Sequence, residues 1–329
     1  MRVAIIGCGL MGHRRARHLA GARLVFCADV DPSRANSLAA LVEGCVAAAD
    51  WRPLLSRDRI DAVIVATPQK FHAEIMRAAI AAGVHVLVEK PAALHADELR
   101  DLPRLAAERN VRVRVGFNLR FHRAFRQARQ LTSSGELGPL MFLRARYGHG
   151  GRPGYADEWR AQPALSGGGE LIDQGVHLID LARWFLGEFV SVDGTCRTYF
   201  WDMPVDDNAF MLLKTASAQV AFMHASCTEW KNTVSWELYG HAGKLQVDGL
   251  GGSYGVERLS WYKNQPELGP PETTIWEYPM RDDSWDVEMA EFFEDIRSGR
   301  EPDPGLADAI AALTVAAELY AKTAHDHRA

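Results

Sequence analysis

The chain has 329 residues, of which 47% are hydrophobic and 24% charged, as in globular proteins. This length exceeds what one hydrophobic core usually holds, so we expect two domains. The formal net charge of −5 and the isoelectric point near 6.2 argue against a general nucleic-acid or membrane-surface partner. The first strand begins beside Met1, and the five cysteines lack metal-binding spacing. We therefore expect a cytoplasmic protein with reduced thiols and no secretory leader.

An apolar run at the amino end, Val3 to Ile6, leads directly into a Gly-x-Gly-x-x-Gly turn. A strand, turn and helix of this kind binds the pyrophosphate of a dinucleotide. Gly7 turns the chain off the strand, Gly9 lets the pyrophosphate approach, and Gly12 lets the helix pack on the sheet. The helix, expected from near His13, offers amide groups to the anion. The predicted cofactor contacts in this turn are Gly7, Gly9, Leu10, Met11 and Gly12.

A second apolar run, Leu24 to Ala28, ends at Asp29, about 20 residues after the glycines, where an acid binds the ribose 2′-hydroxyl of NAD. The same carboxylate would repel the 2′-phosphate of NADP. Arg34 lies one turn further on, where a guanidinium is suited to bind that phosphate. The sequence therefore favours NAD over NADP and predicts both residues as cofactor contacts. The alternative for Asp29 is a turn or helix-capping acid.

Strands and helices alternate in the following segment, which predicts a parallel, doubly wound Rossmann sheet. The predicted strands cover 60–68, 84–88 and 111–117, and the predicted helices cover 71–82 and 97–109. Asp50 is expected to cap a short helix around Leu54. We expect a dinucleotide-binding domain at residues 1–118 and a substrate-binding and oligomerisation domain at 119–329.

The second domain is expected to be α+β, with a large, mostly antiparallel open sheet. Period-two alternation predicts its strands near 190–199, 210–213, 219–225, 234–239, 244–247, 258–262 and 274–278. Two amphipathic helices follow, at 285–298 and 306–324.

Five motifs occur in a characteristic order along the chain. They are Gly7 to Gly12, Ala66-Thr67-Pro68 with Phe71-His72, Glu89-Lys90-Pro91, Gly116 to Phe121, and Gly167 to Asp180. Together they resemble the glucose-fructose oxidoreductase, inositol dehydrogenase and MocA family over essentially the whole chain. The resemblance implies a nicotinamide-dependent sugar oxidoreductase that acts on a secondary ring hydroxyl and forms a homodimer or homotetramer through the open sheet. It also implies a catalytic site of Lys90, Asp173 and His177, and a cis bond before Pro91.

The residues themselves point to the same positions. Lys90 stands at the carboxyl end of a parallel strand, where open α/β sheets bind ligands. Gly167 to Gly169 allow the chain to approach a ligand closely before a helix begins. On that helix Asp173 and His177 are four residues apart and point the same way. The alternatives are a buried core pair and a metal site, but the further acid, Asp180, lies on a neighbouring flank. We therefore predict no metal, and Asp180 is placed to orient His177.

Oxidation of an alcohol removes a hydride from carbon and a proton from oxygen, and the nicotinamide takes the hydride. His177 is the predicted general base, since imidazole titrates near neutrality. Lys90 is predicted to hydrogen-bond the same oxygen and to stabilise its negative charge, and the two residues are expected to share the proton. Asp173 is predicted to orient the substrate or the Lys90 ammonium. The other predicted cofactor contacts are Thr67, Pro68, His72, Glu89 and Lys90.

Residues 112–160 contain ten arginines and three acids in a chain that is acidic overall. This excess favours an anionic substrate, such as a nucleotide sugar or a sugar phosphate. The alternatives are a solvated helix face with a free sugar or an inositol as substrate, or a regulator that binds NAD without turnover. A Gly-rich loop that includes Tyr147, His149 and Tyr155 is predicted to set specificity. The predicted substrate contacts are Asn118, Arg120, His122, Arg152, Trp159, Asp173 and His177.

Overall fold

The computed structural model describes residues 1–56, 58–265, 267 and 269–326, and the chain forms two compact units. The first unit contains Met1–Phe117 and Trp285–Leu313. The second contains Asn118–Ser284 and the chain from Thr314 onward. The boundary expected at residue 118 therefore needs one correction, because a C-terminal segment returns to the first unit.

The first unit is built on a six-stranded parallel sheet. Its strands are β1 (Arg2–Ile6), β2 (Arg23–Ala28), β3 (Val46–Ala48), β4 (Ala62–Val65), β5 (His85–Glu89) and β6 (Val113–Gly116). Their order in the sheet is β3-β2-β1-β4-β5-β6, and every pairing is parallel. Strands β2 and β3 are added on one side of β1, and strands β4 to β6 on the other side. Open α/β sheets bind ligands where the strand order changes direction in this way. The Rossmann prediction is confirmed.

Four helices connect these strands, and one later helix joins them. The connecting helices are α1 (Leu10–Ala16), α2 (Pro32–Ala39), α3 (His72–Ala81) and α4 (Leu102–Glu108). Met289, Phe292 and Phe293 of the later helix are buried in the same apolar cluster as Val3 and Ile5 of β1. Burial of these three large side chains explains why the C-terminal segment belongs to the first unit.

The second unit is built on an eight-stranded sheet. Its elements in chain order are α5 (Arg123–Ser133), β7 (Leu140–Gly148), α6 (Pro163–Ser166), α7 (Val176–Leu186), β8 (Phe189–Arg197), β9 (Asn208–Thr215), β10 (Val220–Ser226), β11 (Thr233–Gly240), β12 (Gly243–Asp248), β13 (Glu257–Lys263) and β14 (Glu272–Tyr278). The strand order is β14-β13-β12-β11-β7-β10-β9-β8. Only the pairing of β7 with β10 is parallel among the described residues, so the mostly antiparallel prediction is confirmed.

Two long helices complete the chain, α8 (Ser284–Ser298) and α9 (Leu306–Asp326). Short 3-10 turns occur at Arg52–Leu54, Gln69–Phe71, Ala96–Glu98, Asn118–Phe121, Tyr155–Asp157, Trp159–Ala161 and Gly252–Tyr254. In the part of the chain that the structure describes, no helix is both long and apolar enough to cross a membrane.

Three elements differ from the sequence-based expectations. Strands β3 and β7 were not predicted, and β7 is a central strand whose last residues include Tyr147, which we had expected in a loop. The helix expected at 97–109 is a 3-10 turn followed by α4. The segment Leu171–Gly175 is a π-helical turn before α7, whereas we expected one regular α-helix.

Candidate active site

Close backbone contacts require two of the three glycines in the Gly-x-Gly-x-x-Gly turn. Gly7 has a φ of +94°, and a Cβ there would lie 2.5 Å from the carbonyl group of Ala66. A Cβ on Gly12 would lie 2.0 Å from the carbonyl oxygen of Gly7. Among the described residues, nothing lies within 4 Å of a Cβ built on Gly9. Gly9 therefore leaves an open approach to the backbone, which suits a pyrophosphate.

The helix after this loop begins three residues earlier than expected. It starts at Leu10 rather than near His13, with Gly9 as its N-cap residue. The side chain of Leu10 is largely exposed, and that of Met11 is half-buried. Both predicted contacts therefore lie at the start of α1.

The acid that ends β2 is fixed by the glycine loop. The carboxylate of Asp29 accepts the backbone N–H of Cys8 at 2.8 Å and that of Asp31 at 2.9 Å. The capping alternative applies to Asp31, which accepts the N–H of Ser33 as the N-cap of α2. Arg34 is exposed, and its guanidinium lies 3.4 Å from the Asp31 carboxylate. The loop and the acid thus form one hydrogen-bonded substructure.

The turn after β4 contains buried polar atoms that lack partners. The ring of His72 bonds the carbonyl oxygen of Thr67 through Nε2 at 2.7 Å, and burial lowers the pKa of His72 to about 4. Among the described residues, neither Thr67 Oγ1 nor His72 Nδ1 has a hydrogen-bond partner. Buried polar atoms normally have one. These two atoms and the open position at Gly9 fit a bound dinucleotide, and Pro68 lies in the same turn.

The motif Glu89-Lys90-Pro91 follows β5 with the peptide before Pro91 in the cis form. Glu89 is buried, and its carboxylate accepts the Nε–H of Arg15 at 2.7 Å. Lys90 is half-buried at the carboxyl end of the strand. The structure therefore places Glu89 in an ion pair within the protein, while its predicted cofactor contact stays a prediction.

The second unit brings Asp173 and His177 to the junction of the π-helical turn and α7. Asp173 lies in the turn, and its carboxylate is 3.3 Å from Nε of Arg160. His177 is buried in the first turn of α7, and its ring and that of Tyr147 form a T-shaped contact with 6.1 Å between the centroids. A π-helical turn contains one extra residue, so the spacing argument for a regular helix does not apply here. Such turns often mark functional sites.

The glycine triplet accommodates the protein's own chain, whereas we had expected it to admit a ligand. A Cβ on Gly169 would lie 1.9 Å from the carbonyl oxygen of Asp206, and one on Gly168 would lie 2.2 Å from the hydroxyl of Tyr320. The Asp206 carboxylate accepts the N–H groups of Gly169 and Leu171 and the hydroxyl of Tyr320. Asp206 thus fixes the start of the turn that carries Asp173. Sequence reasoning missed it because it lies far along the chain.

A buried acid, Glu170, was also missed. Its carboxylate accepts the hydroxyl of Tyr155 at 2.7 Å and lies 3.6 Å from Nε2 of His149. Burial and the neighbouring charge of Asp173 raise the pKa of Glu170. Glu170 lies three positions before Asp173 in the sequence, and the charge of Asp173 acts on it, so it forms part of the environment of the predicted site.

The same cluster, His149, Glu170 and Asp173, brings one potential metal-ligand atom from each side chain within 4.8 Å of the others. The hydrogen bonding of the His149 ring disfavours metal binding. Its Nδ1 accepts the N–H of Gly151 at 3.0 Å, so Nε2 carries the proton in the neutral ring. Neither nitrogen then has a lone pair to give a metal. The prediction that the site holds no metal stays a prediction.

Several predicted substrate contacts are engaged within the second unit. Arg120 and Asp180 form a buried two-point ion pair, with Nε–Oδ2 at 2.8 Å and Nη2–Oδ1 at 2.5 Å. His122 is buried, and its Nδ1 is 3.2 Å from the carboxylate of Glu257. Asp180 thus pairs with Arg120, and the expectation that it orients His177 stays a prediction.

The remaining predicted contacts lie near the start of the unit and in the Gly-rich segment. Asn118 is buried at the start of a 3-10 turn. Arg152 donates two hydrogen bonds of 2.7 Å to Glu158, and the guanidinium of Arg160 lies over the ring of Trp159.

The arginine-rich segment is largely neutralised by ion pairs, which differs from the expected basic patch. Acidic partners lie within 4.0 Å of eight of the ten arginines, namely 112, 114, 120, 123, 126, 144, 152 and 160. Most of these acids lie outside the segment. The local count of charges in the sequence therefore overstated the positive potential of the folded chain.

Family models match both parts of the chain. Residues 1–117 match the model described as an oxidoreductase family with an NAD-binding Rossmann fold. Residues 125–246 match the model of the GFO/IDH/MocA C-terminal domain.

Similar proteins act on different sugars and cyclitols. The chain is 34% identical to inositol 2-dehydrogenase 2 of Saccharopolyspora erythraea, over 75% of this chain and 73% of that one. It is 31% identical to dTDP-3,4-didehydro-2,6-dideoxy-alpha-D-glucose 3-reductase of Saccharopolyspora spinosa, over 75% and 74%. A solved levoglucosan dehydrogenase in complex with NADH and L-sorbose has the same fold, with a TM-score of 0.88, 23% identity and coverage of 99% and 97%. The chain thus belongs to the GFO/IDH/MocA family of oxidoreductases.

Proposed function

We propose that this chain is an NAD-dependent dehydrogenase of a secondary hydroxyl in an uncharged sugar or cyclitol. The observation that carries the proposal is the glycine loop, whose backbone is open at Gly9 and bonded to Asp29 through Cys8. The relatives that are dehydrogenases or reductases of sugars and inositols support the reaction class.

Bound NAD would accept the hydride from the substrate carbon. His177 takes the hydroxyl proton as general base, and Lys90 hydrogen-bonds the reacting oxygen and stabilises its negative charge. Asp173 orients the substrate. Its carboxylate lies 3.3 Å from Nε of Arg160, and carboxylate oxygens accept hydrogen bonds from substrate hydroxyls.

The ion pairs of the arginine segment favour an uncharged substrate. A phosphate-binding site needs cationic groups that are available to the ligand, but Arg120 and Arg152 are already bonded to carboxylates. A nucleotide sugar is the second candidate, favoured by the similarity to the dTDP-sugar reductase.

We propose NAD as the preferred cofactor because of the charges at the end of β2. The Asp29 carboxylate is fixed there, and Arg34 is paired with Asp31. Replacement Asp29→Ser should raise the kcat/KM for NADP relative to NAD, since repulsion of the 2′-phosphate is removed. Unchanged discrimination in this variant would show that Asp29 does not select the cofactor.

We also propose a homodimer or homotetramer formed through the exposed face of the large sheet. Phe222 of β10 is 54% exposed, and aromatic pairs lie on neighbouring strands, with Phe142 against Tyr239 and Phe210 against His224. An exposed apolar surface of this kind favours association with a second copy. Light scattering of the purified protein measures the assembly directly.

The test of the activity is the absorbance of reduced nicotinamide when the protein and NAD are mixed with inositols, free sugars, nucleotide sugars and sugar phosphates. Turnover of an inositol or a free sugar is expected, and turnover of phosphorylated compounds alone would favour the second candidate. Lys90→Ala and His177→Ala should each lower kcat by about 100-fold or more. The exposed residues Lys231 and His241, which lie in turns outside the strands, provide matched control substitutions to Ala. NAD binding without reduction of any compound would support the regulator alternative.

A further inference from the structure

A buried cluster of ion pairs surrounds Arg15 in the first unit. The side chain of Arg15 is fully buried, its Nε donates to Glu89 at 2.7 Å, and its Nη1 donates to Glu288 of α8. The ring of Trp285, also on α8, lies 4.5 Å from the guanidinium carbon. One guanidinium therefore connects α1, the end of β5 and α8.

This ion-pair cluster contains two carboxylates around one guanidinium, and none of the three side chains is substantially exposed. Burial raises the pKa of Glu288, while Arg15 opposes this shift. Burying such groups costs more than an apolar replacement of equal volume in many proteins. Stability alone is therefore a weak explanation for this arrangement.

The geometry leaves the guanidinium little room to move. A Cβ on Gly116 of β6 would lie 2.8 Å from Nη2 of Arg15 and 3.2 Å from Oε2 of Glu89. The pair is thus held against the backbone of β6 on one side and by Glu288 and Trp285 of α8 on the other.

We propose that Arg15 and Glu288 are positioning residues that hold Glu89, and through it the adjacent Lys90, at the end of β5. Arg15 lies three residues after Gly12 on the helix that follows the glycine loop, so the same guanidinium fixes the strand end relative to the cofactor loop. The C-terminal helix α8 then contributes to the reaction without touching a reactant. This inference rests on the proposed role of Lys90.

A second buried pair on α8 provides a matched control. Asp295 accepts a hydrogen bond from Nε of Arg114 at 3.0 Å, and both side chains are fully or almost fully buried. Asp295 lies seven residues after Glu288, which is two helical turns, so both acids occupy the same face. Arg114 belongs to β6 rather than to the Glu89-Lys90-Pro91 segment.

The experiment compares Glu288→Gln with Asp295→Asn in the full-length protein. Each variant removes one buried negative charge without changing side-chain size, so both should lower the thermal midpoint. Only Glu288→Gln should lower kcat, by about 10- to 100-fold, as expected for a displaced catalytic group. The Kd for NAD should change less than kcat, because the glycine loop keeps its own contacts. Arg15→Lys keeps the positive charge but loses the planar guanidinium that donates to Glu89 and Glu288 at once, so it should reproduce the decrease in kcat.

A readout that needs no substrate follows Lys90 itself. The protein is acylated with acetic anhydride at several pH values, and mass spectrometry measures the labelling of Lys90. Glu288→Gln should shift the pH midpoint of labelling downward by about 0.5 to 1 unit, since a nearby negative charge is lost. Asp295→Asn should leave the midpoint close to that of the wild type.

Equal effects of the two substitutions on kcat and on Lys90 labelling would overturn the inference and leave Glu288 a structural residue. The labelling result is independent of the proposed activity. If Lys90→Ala retains full turnover, the proposed function of Lys90 fails, while a selective shift in Glu288→Gln still shows that the network controls this lysine.

Discussion

The buried pair of Arg120 and Asp180 allows a clear separation of structural and substrate-binding roles. Arg120 is 4% exposed and Asp180 is 1% exposed. The guanidinium makes two hydrogen bonds to the carboxylate and lies 5.4 Å from the ring centroid of Trp184. Substitution Arg120→Met removes the donors and leaves a buried negative charge.

Removing one partner of such a buried pair costs about 3 to 5 kcal/mol of unfolding free energy. At about 2 to 4 °C per kcal/mol for a unit of this size, the thermal midpoint should fall by roughly 6 to 20 °C. Urea unfolding followed by tryptophan fluorescence measures the change. The double variant Arg120→Met with Asp180→Leu should recover most of the loss, because no unpaired charge remains.

The competing explanation is that Arg120 binds the substrate. In that case Arg120→Met would raise KM while the unfolding free energy changed by less than about 1 kcal/mol. That result, or failure of the double variant to recover stability, would refute the structural role. Arg129→Met, on the neighbouring helix α5, is the control for loss of an arginine near the same Trp184 ring.

Two further predictions concern the first unit. Gly9→Ala should leave the unfolding free energy unchanged but weaken NAD binding at least about tenfold. Gly12→Ala should instead destabilise the fold by about 1 to 3 kcal/mol, because the added methyl group clashes with the Gly7 carbonyl oxygen. An equal decrease of the thermal midpoint in the two variants would contradict this prediction. The pKa of His72 is about 4 in the fold and 6.5 ordinarily, so its contribution to stability is complete above pH 6.5 and is lost as the pH falls toward 4. This loss of unfolding free energy should reach about 2 kcal/mol by pH 5 and should be absent in His72→Gln. Urea unfolding of both proteins at pH 7 and pH 5 measures it. An identical pH dependence in the two proteins would contradict this prediction.

The sequence was informative where a local pattern has a local cause. The apolar run before Gly7 and the spacing to Asp29 predicted the first two strands and the loop between them, because a tight turn and a close helix require glycine. Alternation with period two located seven strands of the second sheet, since one face of most of them is more buried than the other. It failed for β7, whose arginines 144 and 146 made a strand resemble part of a basic segment.

Contacts between distant residues could not be read from the sequence. Arg120 and Asp180 are 60 positions apart, and Arg123 and Asp283 are 160 apart. Charge counted along the chain therefore predicted a basic patch, while folding brought acids from other segments to the arginines.

The sequence by itself determined the dinucleotide-binding class of the first unit and the family, because glycines at close contacts and an acid at a strand end are fixed by backbone geometry. Only the tertiary structure decided what surrounds the predicted chemical groups. It paired Glu89 with Arg15 and Glu288, and placed Glu170 beside Tyr155. The physical reason is that a buried charge requires a partner, and the chain can supply that partner from any distance in sequence.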